Sequence, residues 1–172
     1  MRLFIALNLN QDTRSRLLAL RDALQAQSKQ GRYSAPENLH LTLAFLGECS
    51  DRQAAAAKAA MDATAFEPLS VAIDCVGRFK RGGKDLWWAG VRRDKPLIDL
   101  QGRLSRKLTG AGFSLEKRKY SPHITLGRDV VTDSEPWPIE AFGETVRCME
   151  LMKSEQIKGK MVYTPIHEVP RP

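Results

Sequence analysis

His40 and His123 stand in the same local frame. Residues 38–47 read Asn-Leu-His-Leu-Thr-Leu-Ala-Phe-Leu-Gly and residues 121–128 read Ser-Pro-His-Ile-Thr-Leu-Gly-Arg, so each segment carries His-apolar-Thr-Leu. In a β-strand, side chains two residues apart project from one face. Each segment thus sets an imidazole beside a hydroxyl, with Leu41 and Ile124 turned the other way, towards a core. The chain has three histidines, and two of them sit in this frame. Facing each other, they can serve as one base and one acid, which is what phosphodiester cleavage without a metal requires. The hydroxyls of Thr42 and Thr125 can donate to phosphate oxygens. Neutral donors aimed at developing negative charge stabilise a transition state.

Other chemistries fit less well. A metal site needs three or four ligands at suitable spacing, and neither motif sets Asp, Glu or Cys on the histidine's face. No metal and no cofactor is expected. A GxSxG nucleophile elbow is absent, which argues against a serine hydrolase. A GxxxxGK[ST] loop is also absent, so nucleoside triphosphate binding is not expected. His167, in Thr164-Pro165-Ile166-His167-Glu168, lies outside the repeated frame and reads as a structural or surface residue.

The elements that must position the motifs follow from periodicity. Leu3–Leu9 reads as a strand, and Asp12 or Thr13 as the cap of a helix to about Gln27 with a stripe of Leu17, Leu20, Ala23 and Leu24. Leu39–Leu46 is a strand with Leu41, Leu43 and Phe45 on one face. Ser50-Asp51-Arg52-Gln53 opens an alanine-rich helix that ends near Ala63. Leu69–Val76 and Asp85–Val91 read as a hairpin across Arg81-Gly82-Gly83-Lys84. Pro96 starts a helix through Leu97, Leu100, Leu104 and Leu108, closed by Gly110 or Gly112. His123–Leu126 is a short strand, and Pro136 and Pro138 mark a loop. Thr145–Met152 and Met161–Val169 are the last strands, joined around Lys158-Gly159-Lys160.

His40 and His123 are 83 positions apart in a chain of 172 residues, and each follows a helix a little before the middle of its half. That spacing suggests two similar α+β lobes from an old duplication, each giving its His-x-Thr strand to a shared central cleft. Hairpins rather than regular βαβ units favour antiparallel sheets with outer helices.

Composition sets the class. The chain is 42% hydrophobic and 27% charged, as expected of a globular domain. No apolar run approaches the ~20 residues that cross a bilayer, so no membrane association is expected. The opening Met1–Asn8 shows no long apolar stretch or small-residue cleavage site, so no signal peptide is expected. Cys49, Cys75 and Cys148 are odd in number and far apart, and read as reduced thiols of a cytoplasmic protein. The net charge is +7, with basic clusters at Arg78–Lys84, Arg103–Lys107 and Lys117–Lys119. Such a surface favours phosphate-rich partners.

Taken together, these segments resemble the 2H phosphoesterase superfamily, which carries two His-x-Thr/Ser motifs. The similarity is strongest to the bacterial and archaeal RNA 2′,3′-cyclic phosphodiesterases, also called 2′-5′ RNA ligases. Arg2-Leu3-Phe4-Ile5-Ala6-Leu7 is similar to that family's first strand, and Ser154, Gly159 and Tyr163-Thr164-Pro165 to its closing hairpin.

The resemblance implies one domain over residues 1–172: a bilobal α+β fold of two intertwined lobes, pseudo-twofold, with both motifs in the cleft. It implies an enzyme that opens RNA 2′,3′-cyclic phosphate ends to 2′-phosphomonoesters, tRNA fragments being one source of such ends. By similarity His40 is the proton donor, His123 the proton acceptor, and Thr42, Thr125 and Arg128 bind substrate. The reverse step, with an RNA 5′-hydroxyl, makes a 2′-5′ linkage without ATP. Strict alternation sets Arg128 on the face opposite His123 unless the strand twists near Gly127. A monomer is expected. Two alternatives stay open: a related enzyme acting on small cyclic nucleotides, and a non-catalytic protein that holds RNA ends.

Overall fold

The computed structural model describes residues 1–170. Two antiparallel sheets divide the strands between them. The first holds β1 (Arg2–Asn8), β3 (His40–Glu48), β8 (Met149–Ile157) and β9 (Lys160–Val169) in the order β3-β1-β8-β9. The second holds β2 (Ser28–Tyr33), β4 (Leu69–Phe79), β5 (Asp85–Val91), β6 (His123–Thr132) and β7 (Trp137–Val146) in the order β2-β6-β5-β4-β7. Three helices accompany them: α1 (Gln11–Ala26), α2 (Asp51–Asp62) and α3 (Lys95–Gly110).

The expected pseudo-twofold relation is visible in the connections. β1 leads through α1 to β3, which lies antiparallel beside β1. β5 leads through α3 to β6, which lies antiparallel beside β5. Counted from each histidine strand, β3-β1-β8-β9 matches β6-β5-β4-β7. The extra strand β2 covers the outer edge of β6, whereas β3 is an edge strand of its own sheet.

The sheets are not the two halves of the chain. The four-stranded sheet combines β1 and β3 with β8 and β9, and β2 crosses into the other sheet. Three local readings also change. Asn10, not Asp12 or Thr13, caps α1, its side chain accepting from the Thr13 N–H. Pro138 does not interrupt a strand, because β7 is an edge strand and an edge tolerates a residue with no N–H to donate. Thr145–Met152 is no single strand: β7 ends at Val146 and β8 begins at Met149 in the other sheet. The polar edge strand β2, Ser-Lys-Gln-Gly-Arg-Tyr, carries no apolar alternation to announce it.

The core follows the periodicities. Leu97, Leu100, Leu104 and Leu108 of α3 are buried at helical spacing. Ser50 and Gln53 form a reciprocal capping box at the start of α2. Leu41 and Leu43 of β3 and Ile124 and Leu126 of β6 are buried in one apolar cluster with them. No helix among the described residues is long and apolar enough to cross a membrane.

Candidate active site

Each motif is built by a strand and a bulge. His40 and Thr42 share one face of β3, and His123 and Thr125 share one face of β6, all four half-buried. After each threonine the ladder slips. β3 pairs Thr42 with Ala6 but Ala44 with Ile5, leaving Leu43 over. β6 pairs Thr125 with Trp88 but Gly127 with Trp87, leaving Leu126 over. A bulge of this kind adds one residue and shifts the alternation. Leu43 and Ala44 are therefore both buried, as are Leu126 and Gly127.

The residue five positions after each histidine thereby returns to the histidine's face. In β3 it is Phe45, expected among the core residues but 66% exposed. In β6 it is Arg128, which strict alternation had set on the opposite face. Its positive charge reaches His123 and helps hold that imidazole neutral.

Aromatic rings surround His40. Phe4 of β1 stacks on it with centroids 4.8 Å apart, and Tyr163 of β9 meets it edge-on at 5.3 Å. Phe4, Ala6 and Met152 form a small apolar cluster separate from the main core, with Tyr163 packed on it. Among the described residues, hydrogen bonds reach the imidazoles of His123 and His167 but not that of His40. Burial without a compensating partner disfavours the imidazolium, and it lowers the His40 pKa from 6.5 to about 4.

His123 is held differently. Its Nδ1 lies 2.6 Å from the carbonyl oxygen of Ser121. A carbonyl only accepts, so Nδ1 carries the hydrogen and the neutral ring keeps a free lone pair on Nε2. Phe79 meets the ring edge-on at 5.0 Å, and Trp88 lies 6.2 Å away. Trp88 lies against Gly77 of β4, where a Cβ would collide with the indole. Burial lowers the His123 pKa, the Ser121 carbonyl acts in the opposite sense, and Arg128 adds to the lowering.

One hydrogen bond joins the two motifs. Tyr120, three residues before His123, donates its hydroxyl to the Thr42 carbonyl oxygen at 2.7 Å. Burial raises the Tyr120 pKa far above its ordinary value, so the phenol stays a donor. On the other side of β6, the Ser34 hydroxyl donates to the Thr125 carbonyl oxygen at 2.8 Å. β3 and β6 are thus brought into contact at the junction of the sheets.

His167 is elsewhere: its Nε2 lies 2.8 Å from Asp62 Oδ1 and ties β9 to α2. Among the described residues no three His, Cys, Asp or Glu side chains gather as a metal site would need. Cys49, Cys75 and Cys148 are free thiols.

The five residues singled out from the sequence therefore lie on the matching faces of β3 and β6. Sequence reasoning passed over Phe4, Phe79, Trp88, Tyr120 and Tyr163, which set the environment of the imidazoles. Tyr120 could have been noticed from its closeness to His123; Phe4 and Tyr163 become visible only once β1, β3, β8 and β9 are paired. Chemically, the arrangement offers one imidazole with a free Nε2 lone pair, a second in an apolar cage, two hydroxyls and a guanidinium. That set suits a phosphate group undergoing proton-coupled bond exchange.

Known proteins resemble this chain in sequence and fold. A model described as LigT like phosphoesterase matches residues 7–87 and 91–155. An RNA 2′,3′-cyclic phosphodiesterase of Escherichia coli (strain K12) is 31% identical over 168 residues, covering 96% of this chain and 93% of that protein. Its counterpart in Archaeoglobus fulgidus is 30% identical over 162 residues, covering 90% and 91%. The crystal structure of E. coli LigT complexed with 3′-AMP superposes with a TM-score of 0.84 at 29% identity, covering 97% of this chain and 95% of that one. With its fold and most of its length matched in this way, the chain belongs to the LigT-like phosphoesterase family.

Proposed function

We propose that this protein hydrolyses RNA 2′,3′-cyclic phosphate ends to 2′-phosphomonoesters, with His123 as base and His40 as acid. Water attacks phosphorus as the bond from phosphorus to the 3′-oxygen breaks. His123 Nε2 takes the proton from water, and the imidazolium of His40 gives one to the leaving 3′-oxygen. Solvent then restores both. Thr42 and Thr125 donate to the non-bridging oxygens, and Arg128 offsets their charge.

The observation that carries the reading is the bond from His123 Nδ1 to the Ser121 carbonyl oxygen, which frees Nε2 to accept. His40 has no such acceptor, and burial holds it neutral near pH 7. A bound phosphodiester supplies a negative charge beside it, which favours the protonated acid. The relatives' activity on RNA 2′,3′-cyclic phosphates supports the substrate class.

With an RNA 5′-hydroxyl in place of water, the same groups run the reverse step and form a 2′-5′ linkage without ATP. No metal takes part. One chain carries both histidine strands, so a monomer suffices. Three free thiols suit the reducing cytoplasm.

Phosphorus NMR of an RNA oligonucleotide with a 2′,3′-cyclic end, treated with the protein in excess chelator, tests the reading. A 2′-monoester is expected. A 3′-monoester would reverse the placement of the two histidines, and loss of activity restored by zinc or manganese would remove the metal-free mechanism.

A further inference from the structure

The five-stranded sheet carries more positive charge on the histidine face than a single terminal phosphate needs. Arg32 of β2 is the register partner of Arg128 on β6. Directly opposed residues of an antiparallel pair share a face, with Cβ atoms about 5 Å apart, and like charges so placed destabilise the pair. Two arginines here therefore oppose sheet stability. They sit at the outer side of β6, the side that β2 covers and that has no counterpart next to β3.

A recess of about 400 Å³ lies beside this pair, lined by Gln30, Gly31, Arg32, Lys84 and Asp129. Asp129 has a left-handed backbone (φ 52°), uncommon for a residue with a side chain. Its Oδ2 accepts from Arg32 Nε at 2.8 Å and lies 2.6 Å from Arg32 Nη2. The fork of Arg32 is thereby aimed while its side chain stays 72% exposed. Lys84 enters from the turn between β4 and β5, exposed, as are Lys80 and Arg81 of that turn. Neither Arg128 nor Lys84 has an ion-pair partner among the described residues, and the recess itself is lined by two cations, Arg32 and Lys84, and one carboxylate, Asp129.

Charge of this kind, ordered and continuous with Arg128, matches a run of phosphates rather than one. We infer that Arg32 and Lys84 form a second phosphate subsite, which binds the backbone of the RNA upstream of its cyclic end. The inference rests on the proposed reading for the identity of that end. The subsite makes the protein prefer oligonucleotides to mononucleotides. Arg128 serves the terminal phosphate, Arg32 the next, and Lys84 follows as the strand leaves the sheet past the β4–β5 turn.

Binding tests this without depending on turnover. A short RNA ending in a 2′-phosphate and the matching nucleoside 2′-monophosphate are titrated against wild type, Arg32→Gln, Lys84→Gln and Arg32→Lys. Wild type is expected to prefer the oligonucleotide. That preference should fall about tenfold in Arg32→Gln, as for loss of one charge-assisted contact. Arg32→Lys should keep part of it. The slope of log affinity against log salt for the oligonucleotide should lessen by about 0.7 for each cation removed. No preference in wild type, or an undiminished preference in Arg32→Gln and Lys84→Gln, overturns the subsite. A preference that depends on Arg32, in a protein that fails to open the cyclic end, upholds the subsite and rejects the proposed reaction.

Discussion

His40 and His123 occupy equivalent places in two related sheets, and their surroundings differ in kind. His40 lies on an edge strand, under Phe4 and Tyr163. His123 lies on a strand flanked on both sides, with its Nδ1 bonded to the Ser121 carbonyl oxygen and Arg128 within electrostatic reach. The bulge that follows each threonine is the same device, but it delivers Phe45 to one site and Arg128 to the other. A duplicated frame therefore keeps its reactive group and loses its symmetry through the residues packed around it. Unequal surroundings are how one side-chain type can supply both an acid and a base.

The largest effect should come from removing either ring. His40→Ala and His123→Ala are each expected to lower turnover by roughly 10²–10⁴-fold, the usual contribution of a general acid or base. Both variants should keep the far-ultraviolet circular dichroism of the wild type. Turnover close to wild type in either would break the pairing of roles.

A smaller effect should follow from loosening the link between the motifs. In Tyr120→Phe the Thr42 carbonyl oxygen loses its donor, a net loss of about 1 kcal/mol that corresponds to several-fold in rate. The expected result is a lower kcat with KM little changed and a melting temperature lower by roughly 2–4 °C. A change confined to KM would assign Tyr120 to substrate affinity instead of alignment.

The aromatic cage can be opened by Phe4→Leu. Water then reaches His40, and its pKa should rise from about 4 towards the ordinary 6.5. Proton NMR of the imidazole reads this directly; a value still near 4 would show that Phe4 does not control the burial. His123, in the other sheet, serves as the internal control.

Stability should record the same difference, more weakly. His40 binds its proton less readily folded than unfolded, so its contribution is fully present above pH 6.5. It is lost as pH falls from 6.5 through about 4. The melting temperature of wild type should drop over that window, and His40→Gln should flatten the drop. Identical slopes for the two proteins would mean that other groups set the acid limb.

Much of this was legible from residue order. The two His-x-Thr frames, Leu41 and Ile124 as their core-facing neighbours, and the three helices follow from periodicity and capping. The antiparallel α+β architecture follows from the hairpins. What remained hidden has physical reasons. β2 is a polar edge strand, so no apolar alternation marks it. Pro138 reads as a breaker until β7 is known to be an edge. The positions of Phe45 and Arg128 depend on bulges, which arise in the ladder between strands and have no signature in one strand alone. The His40 cage joins residue 4 to residue 163 through β1, β8 and β9, a relation that only pairing creates.

The asymmetry of the two imidazoles is best tested by nitrogen-15 NMR of histidine-labelled protein, titrated without substrate. Predicted are a neutral His123 with its proton on Nδ1 and Nε2 bare, and a His40 that titrates near 4. A His123 protonated on Nε2 in its neutral form would contradict its assignment as base, and a His40 that titrates at 6.5 would contradict the apolar cage that sets the two imidazoles apart.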